Sequence, residues 1–258
     1  MRFASLGSGS AGNALVVQEN NTLLLLDCGF GVREVASRLA KLGLSPEMLS
    51  GILVTHEHDD HAGGAFKLAS KYGIRVWLTH GTLDMAHRHF PAHMDSQLIM
   101  TIDSHEAFGI QDLRIQPFPV PHDARERVQF TFSNGDKKLG VLTDTGTSTA
   151  HIENVLSACD ALVLECNHDL EMLMNGPYAR ALKQRVNSRL GHLDNQSSAQ
   201  LLTKLDNSKL QHLIAAHLSV KNNHPSLARS ALSQALACED DWVGIADQTF
   251  GFDWREIR

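Results

Sequence analysis

The sequence has 258 residues, a formal net charge of −6 and 15 histidines. A chain of this length can bury a substantial core, and its net negative charge argues against broad, non-specific adhesion to polyanions, which depends on many Lys and Arg contacts with phosphate. The four cysteines form no CxxC pair, the amino terminus lacks the pattern of a signal peptide, and no apolar run approaches the ~20 residues of a bilayer span. We therefore expect one cytoplasmic domain over residues 1–258, with neither a disulfide framework nor a thiolate zinc site.

The first part of the chain alternates strands with helices. Apolar, extended-looking runs predict strands at residues 14–18, 22–27, 51–55 and 75–78. Apolar residues at helical spacing predict helices at residues 32–42 and 61–72. The strand at 51–55 stops at a cluster of His and Asp residues, and this strand end is the first candidate for a functional site.

The second part begins with strands and then returns to alternation. Strands are predicted at residues 113–120, 128–132 and 139–143, and Asn134-Gly135 supplies a hairpin turn between the last two. Helices at residues 148–156, 178–189 and 196–205 then alternate with strands at 161–165 and 210–216. Two mixed halves of similar order predict an α/β fold with four layers, an αββα sandwich.

The segment at residues 55–61, THEHDDH, has the spacing HxHxDH. His56 and His58 lie two residues apart at a strand end, so their side chains point the same way and can bind one ion. Asp60 and His61 turn into the following helix and can face a second ion. Four such ligands within six residues are costly to place together without a cation.

Three further candidate ligands stand at the ends of predicted strands. His122 follows the strand at 113–120, Asp144 ends the strand at 139–143, and His217 ends the strand at 210–216. Taken singly, each residue can be an ordinary capping residue. Together with the HxHxDH segment they predict a metal site.

HxHxDH followed by a lone His, an Asp and a His resembles the metallo-β-lactamase superfamily, and the segments LGSGSAGN, GHLDN and HLSVKNN look like its YycJ/WalJ branch. The resemblance covers the chain from Leu6 to about Pro225. It implies a first ion held by three histidines, a second ion held by three residues, and one carboxylate that bridges them. In that order, these are His56, His58 and His122, then Asp60, His61 and His217, then Asp144. Asp27 matches a position that supports the site without binding an ion.

Two ions about 3.5–4 Å apart can share a hydroxide nucleophile and clamp a phosphoryl group. The leaving alkoxide also needs a proton, which a histidine usually donates. His192 resembles the acid histidine of phosphodiesterases in the superfamily, Glu165 resembles the carboxylate that orients it, and Asp60 is a catalytic as well as a metal-binding candidate. The alternative is that neither residue has a catalytic role, so that His192 is only a residue at the start of a helix and Glu165 only a charged residue at the end of a strand.

Candidate substrate contacts lie in two loops. The turn at residues 8–13 can offer backbone N–H groups to an anion, with Ser10 and Asn13 as phosphate contacts. Asn222 and Asn223, just beyond His217, are similarly placed. A simple tight hairpin is the alternative for the turn. The predicted helix at 178–189 has four basic residues and no acid, so it could present positive charge to a nucleic-acid backbone. These residues do not all share one helical face, which favours a solvated helix over a substrate wall.

We expect a hydrolase with two divalent metal ions, with zinc as the first candidate and manganese or iron as alternatives, because His and carboxylate ligands suit all three. The resemblance implies a DNA-directed exonuclease that acts from the 5′ end, with a nucleic acid or nucleotide as its partner and no membrane. Two alternatives stay open. One is a small-molecule hydrolase, such as a cyclic nucleotide phosphodiesterase or a lactonase. The other is a non-catalytic metal-binding regulatory module, which would have no use for a leaving-group acid.

Overall fold

A computed structural model describes the whole chain, residues 1–258. It contains 14 strands and nine α-helices. The strands are β1 (Arg2–Gly7), β2 (Ala14–Glu19), β3 (Thr22–Leu26), β4 (Gly51–Leu53), β5 (Val76–Thr79), β6 (Ile99–Ile102), β7 (Phe108–Ile110), β8 (Leu113–Pro119), β9 (Val128–Ser133), β10 (Lys138–Leu142), β11 (Ala161–Glu165), β12 (His212–Ala216), β13 (Gly244–Ile245) and β14 (Phe252–Glu256). The helices are α1 (Val32–Lys41), α2 (Asp59–Ala62), α3 (Ala65–Tyr72), α4 (His80–His89), α5 (Ala150–Leu156), α6 (Leu170–Asn175), α7 (Arg180–Val186), α8 (Asn195–Lys204) and α9 (Pro225–Leu236). None of the nine helices combines the length and apolarity that a bilayer span requires.

The strands form two seven-stranded sheets. The first sheet has the order β14-β1-β2-β3-β4-β5-β6, and the second has the order β13-β12-β11-β10-β9-β8-β7. Strands β3 and β4 are parallel in the first sheet, and β10, β11 and β12 are parallel in the second. The carboxyl ends of parallel neighbours lie at the same edge of a sheet, so each sheet presents several strand ends together.

Three apolar clusters separate the four layers. The central cluster joins the facing sides of the two sheets through residues such as Phe3, Leu24 and Phe130. A second cluster packs α1 and α3 against the first sheet, and a third packs α5, α8 and α9 against the second. Both faces of both sheets are therefore covered, which explains the near-continuous apolar runs of the central strands. The predicted αββα sandwich is confirmed.

The predicted helix at 61–72 is in fact two helices, α2 and α3. Gly64 lies between them, and a Cβ on this residue would be 1.9 Å from the carbonyl oxygen of Phe30. Only glycine permits so close an approach of two backbones. The break allows α2 to present Asp60 and His61 at the end of β4 while α3 packs on the sheet.

Candidate metal centre

The candidate site lies where strand ends of both sheets meet. Asp27 follows β3, Asp144 follows β10 and His217 follows β12, and these residues have left-handed φ angles of 60°, 49° and 56°. A residue with a Cβ pays roughly 1–2 kcal/mol for this conformation. Strained residues of this kind concentrate at functional sites, and here they occupy three strand ends that the sequence had singled out.

His56, His58 and His122 form the first group of candidate ligands. One ring nitrogen of each lies within 4.8 Å of the others, and Nε2 of His56 is 2.9 Å from Nδ1 of His58. Burial, followed by the charge of Arg127, lowers the pKa of His56 well below its ordinary value and the pKa of His122 to about 3. The pKa of His58 is lowered for the same reasons. The three imidazoles are therefore neutral near pH 7, as metal ligation requires.

Asp60, His61, Asp144 and His217 form the second group, whose ligand atoms also lie within 4.8 Å of one another. Nε2 of His61 is 3.1 Å from Oδ2 of Asp144, and Nε2 of His217 is 3.3 Å from Oδ1 of the same carboxylate. Burial opposes charge on both rings, but Asp144 raises the pKa of His61 well above its ordinary value and that of His217 to about 10. The carboxylates of this group therefore attract positive charge, either as protons on these rings or as a cation.

Two buried atoms of the second group lack a hydrogen-bond partner, namely Oδ2 of Asp144 and Nε2 of His217. Charged neighbours lie close to both without the geometry of a hydrogen bond; Nη2 of Arg127, for example, is 3.0 Å from Oδ2 of Asp144. A buried polar atom without a partner is costly, and imidazole nitrogens and carboxylate oxygens are ligands of divalent ions. The residues present therefore fit divalent metal ions.

Asp27 supports the second group from behind. Its Oδ1 accepts a hydrogen bond of 2.8 Å from the N–H of Thr55, and its Oδ2 lies 2.8 Å from Nδ1 of His61. This contact leaves Nε2 of His61 for the ligand cluster, as a carboxylate behind a metal-binding histidine commonly does. The structure thus places Asp27 beside the candidate ligands and outside both groups.

The Glu165 carboxylate is fully buried and joins separate parts of the site. It accepts hydrogen bonds of 2.9 Å from the backbone N–H groups of Asp144 and Thr145, and one of 3.0 Å from that of Leu193. Burial opposes its charged form, but the charge of His192 and hydrogen bonds with the side chains of His192 and His217 lower the pKa of Glu165 to about 2. Glu165 is close enough to Asp144, His192 and His217 to form a third potential ligand group, but its oxygens already serve these donors. The carboxylate therefore orients its neighbours.

His192 stands at the edge of the ligand cluster. Its Nδ1 donates a hydrogen bond of 2.8 Å to Oε1 of Glu165, and its side chain is 21% exposed. Because Nδ1 is engaged with the carboxylate, Nε2 is the ring nitrogen available to a substrate. The backbone N–H of His192 donates to the carbonyl oxygen of Val186 at 2.9 Å, which ties this histidine to the end of α7.

Members of both ligand groups line a single cleft of about 240 Å³. Its walls combine these residues and His192 with residues of the segment that contains α7, whereas His56 and His61 are fully buried and lie outside the lining. The lining consists of Ser10, His58, Asp60, His122, Asp123, Asp144, Asn167, Tyr178, Leu182, Arg185, Val186, Gly191, His192, His217 and Ser219.

A family model described as the beta-lactamase superfamily domain matches residues 22–217. The chain belongs to the metallo-β-lactamase superfamily. Exodeoxyribonuclease YycJ of Bacillus anthracis is 35% identical over 248 residues, which are 96% of this chain and 92% of the relative. Exodeoxyribonuclease WalJ of Streptococcus pneumoniae serotype 2 (strain D39) is 34% identical over 247 residues, which are 95% of this chain and 91% of the relative. These matches confirm the predicted superfamily and its YycJ/WalJ branch.

The solved structures agree with this fold. The metallo-beta-lactamase fold protein YhfI from Bacillus subtilis matches with a TM-score of 0.75 at 16% sequence identity, and the match covers 98% of each chain. At this level of identity the likeness concerns the fold alone.

The four predicted substrate contacts have different surroundings in this superfamily member. Ser10 is exposed and lines the cleft. Asn13 is buried, and its side-chain amide donates to the carbonyl oxygen of Gly9 at 3.1 Å and approaches Nε2 of His61 to 3.1 Å. Asn222 and Asn223 are also buried, and Asn223 donates to the carbonyl oxygen of Cys166 at 2.7 Å. The last three residues lie outside the cleft lining.

Sequence reasoning missed Arg127 and Asn167. Arg127 is 3% exposed, and its Nη2 donates to the carbonyl oxygen of Thr143 at 3.0 Å while lying 3.0 Å from Oδ2 of Asp144. It directly precedes β9, whose first residue lies at the edge where β8 ends. Asn167 lines the cleft and donates to the carbonyl oxygen of His217 at 3.0 Å. One sequence feature could have identified both residues. Each is polar and lies within two positions of the end of a buried strand, at the sheet edge that carries the candidate ligands.

Proposed function

We propose that the protein is a metal-dependent phosphodiester hydrolase that acts on DNA as a 5′ to 3′ exonuclease. The observation that carries the proposal is the meeting, in one cleft, of two ligand groups with the paired side chains of His192 and Glu165. A site that only bound metal would have no use for a histidine held by a buried carboxylate beside the ligands. Both relatives are named exodeoxyribonucleases, and the match covers nearly the whole length of each. This similarity supports DNA as the substrate.

The residues that would hold two divalent ions follow from the two groups. The first ion would be held by His56, His58 and His122, the second by Asp60, His61 and His217, and both by Asp144. Zinc is the first candidate, and manganese and iron suit the same nitrogen and oxygen ligands. When bound, such a pair of ions supplies Lewis acidity to a phosphoryl group and lowers the pKa of water.

The other residues bind, orient and move protons. Glu165 holds the imidazole of His192 through Nδ1, so that Nε2 can give a proton to the leaving alkoxide oxygen. The same carboxylate fixes the loop after β10 through the N–H groups of Asp144 and Thr145. One ionised group therefore aligns the proton donor with the shared ligand.

Turnover after metal depletion and reconstitution tests the proposal. Protein stripped with a chelator is reloaded with Zn²⁺, Mn²⁺ or Fe²⁺, its metal content is measured, and it is assayed with bis-p-nitrophenyl phosphate and with 5′-phosphorylated single- and double-stranded DNA. Oligonucleotides labelled at the 3′ end should shorten one nucleotide at a time from the 5′ end, and Asp144→Ala should abolish this activity. Fully loaded protein that leaves both kinds of phosphodiester intact would refute the proposal.

A further inference from the structure

One segment, residues 178–192, builds one wall of the cleft that the candidate ligands also line. The only hydrophobic residues of the cleft lining are Tyr178, Leu182 and Val186, and all three belong to this segment. Helix α7 within the segment has no buried residue. Its apolar side chains therefore do not anchor it to the core and remain available at the cleft.

Exposed apolar residues also adjoin lining residues in the sequence. Leu182, Leu190 and Val220 are 39%, 51% and 77% exposed. Leu190 precedes the lining residue Gly191, and Val220 follows the lining residue Ser219.

Positive charge accompanies these apolar side chains. The segment contains Arg180, Lys183, Arg185 and Arg189 but no Asp or Glu, although the chain as a whole has a net charge of −6. Lys221 Nζ lies 5.7 Å from the ring centroid of Tyr178. Arg185 lines the cleft, where its Nη2 is 2.6 Å from Oδ2 of Asp123.

A wall of this composition fits a nucleotide at the end of a strand. The basic side chains complement its phosphates, and the aromatic and apolar side chains complement the flat face of its base. A base in the interior of a duplex has both faces in the stack, whereas a base at a strand end exposes at least one face to such a wall.

We propose that Tyr178 and Leu182 bind the base of the terminal nucleotide next to the scissile phosphate. This inference rests on the proposed function and adds the residues that recognise the end of the strand. Tyr178 stacks on the base, and Leu182 covers its edge. The neighbouring basic residues contact the backbone.

Abasic substrates test the base contact directly. Three 5′-phosphorylated single strands are compared, one unmodified, one with an abasic residue at the first position and one with it at the second. Binding is measured by fluorescence anisotropy without added metal, and cleavage is measured with metal. Because stacking on an aromatic side chain contributes ~1–3 kcal/mol per base, removal of one of the two bases should weaken binding to the native protein by roughly tenfold.

Variants assign the effect to the wall. Tyr178→Ala and Leu182→Ala should reduce the ratio between unmodified and abasic substrates towards one. Leu227 on α9 is as exposed as Leu182, at 40% against 39%, and Leu227→Ala should keep the native ratio. Tyr178→Phe should also keep it, because the ring remains.

Two failures are distinguishable. Native protein that binds unmodified and abasic strands equally, or a Tyr178→Ala variant that discriminates as the native protein does, overturns the inference. Metal-loaded native protein that leaves both bis-p-nitrophenyl phosphate and DNA intact overturns the proposed function instead, and the anisotropy ratio still measures the base contact in that case.

Discussion

Nδ1 of His192 donates a hydrogen bond of 2.8 Å to Oε1 of Glu165, a carboxylate that is fully buried. The contact fixes both the orientation of the imidazole and the nitrogen that bears its first proton. It also couples His192 to the ligand cluster, because the same oxygen accepts the N–H of Asp144 at 2.9 Å. Removal of either partner should therefore have separable effects on chemistry and on architecture.

His192→Ala should retain metal and lose roughly 10²–10⁴-fold in the rate of DNA cleavage, because the proton donor is gone. The loss should be much smaller for bis-p-nitrophenyl phosphate, since nitrophenolate departs without a proton. Metal content and single-turnover rates on both substrates provide the measurement. Equal losses on both substrates would contradict the role of proton donor, and loss of a metal ion would identify His192 as a ligand.

Glu165→Gln should lower both stability and DNA cleavage. The amide can accept only at its oxygen, so at least one of the N–H groups of Asp144, Thr145 and Leu193 would face an NH₂ group. A buried donor without an acceptor costs ~1–3 kcal/mol, which denaturant unfolding can measure. Glu256→Gln, at a site that is 62% exposed, is the control and should leave the free energy of unfolding unchanged. A Glu165→Gln protein of native stability would show that these hydrogen bonds are dispensable.

Much of the site could be predicted from sequence because its residues follow buried strands. A strand end is visible as the point where an apolar run stops, and His56, Asp144 and His217 each stand within three residues of such a point. The sequence does not reveal the order of the strands in the sheets. The expectation that these strand ends lie close together therefore rested on the family resemblance. The structure brings them together.

Contacts that depend on tertiary packing could not be seen in the local pattern. Asn13 lies in a turn typical of anion binding, yet its amide reaches Asp60 and His61, 47 and 48 residues away. Helix α9 was not predicted, because small side chains such as Ala228 and Ala231 form much of its buried face and give a weak apolar period. The exposed helix α7 lacks a buried stripe altogether, and its sequence therefore indicated nothing about which way it faces.

Asp27→Ala should weaken binding of one metal ion by roughly 10–100-fold, the usual effect of losing a carboxylate behind a metal-binding histidine. The reason is the lost contact of 2.8 Å with Nδ1 of His61. Competition with a chromophoric chelator measures the two affinities separately. Asp112→Ala, which removes a carboxylate 2.9 Å from the hydroxyl of Thr22, is the matched control outside the site. Unchanged affinities in Asp27→Ala would mean that Thr55 and the strand end hold His61 without help.

Loading of the two ligand groups should differ in its dependence on pH. The pKa values of His56, His58 and His122 are lowered, so that group has no proton to release near pH 7. His61, whose pKa is raised well above its ordinary value, and His217, whose pKa is raised to about 10, carry protons that an ion must displace. Calorimetric titration with Zn²⁺ in buffers of different ionisation enthalpy should therefore reveal one binding event with almost no proton release and a second that releases roughly two protons.

The Zn²⁺ affinity of the second group should rise as pH increases from 6 to 8, while the affinity of the first group stays nearly constant. Identical proton release in both events would show that the carboxylates of the second group do not hold protons on its histidines. It would contradict the proposed difference in histidine pKa between the two groups.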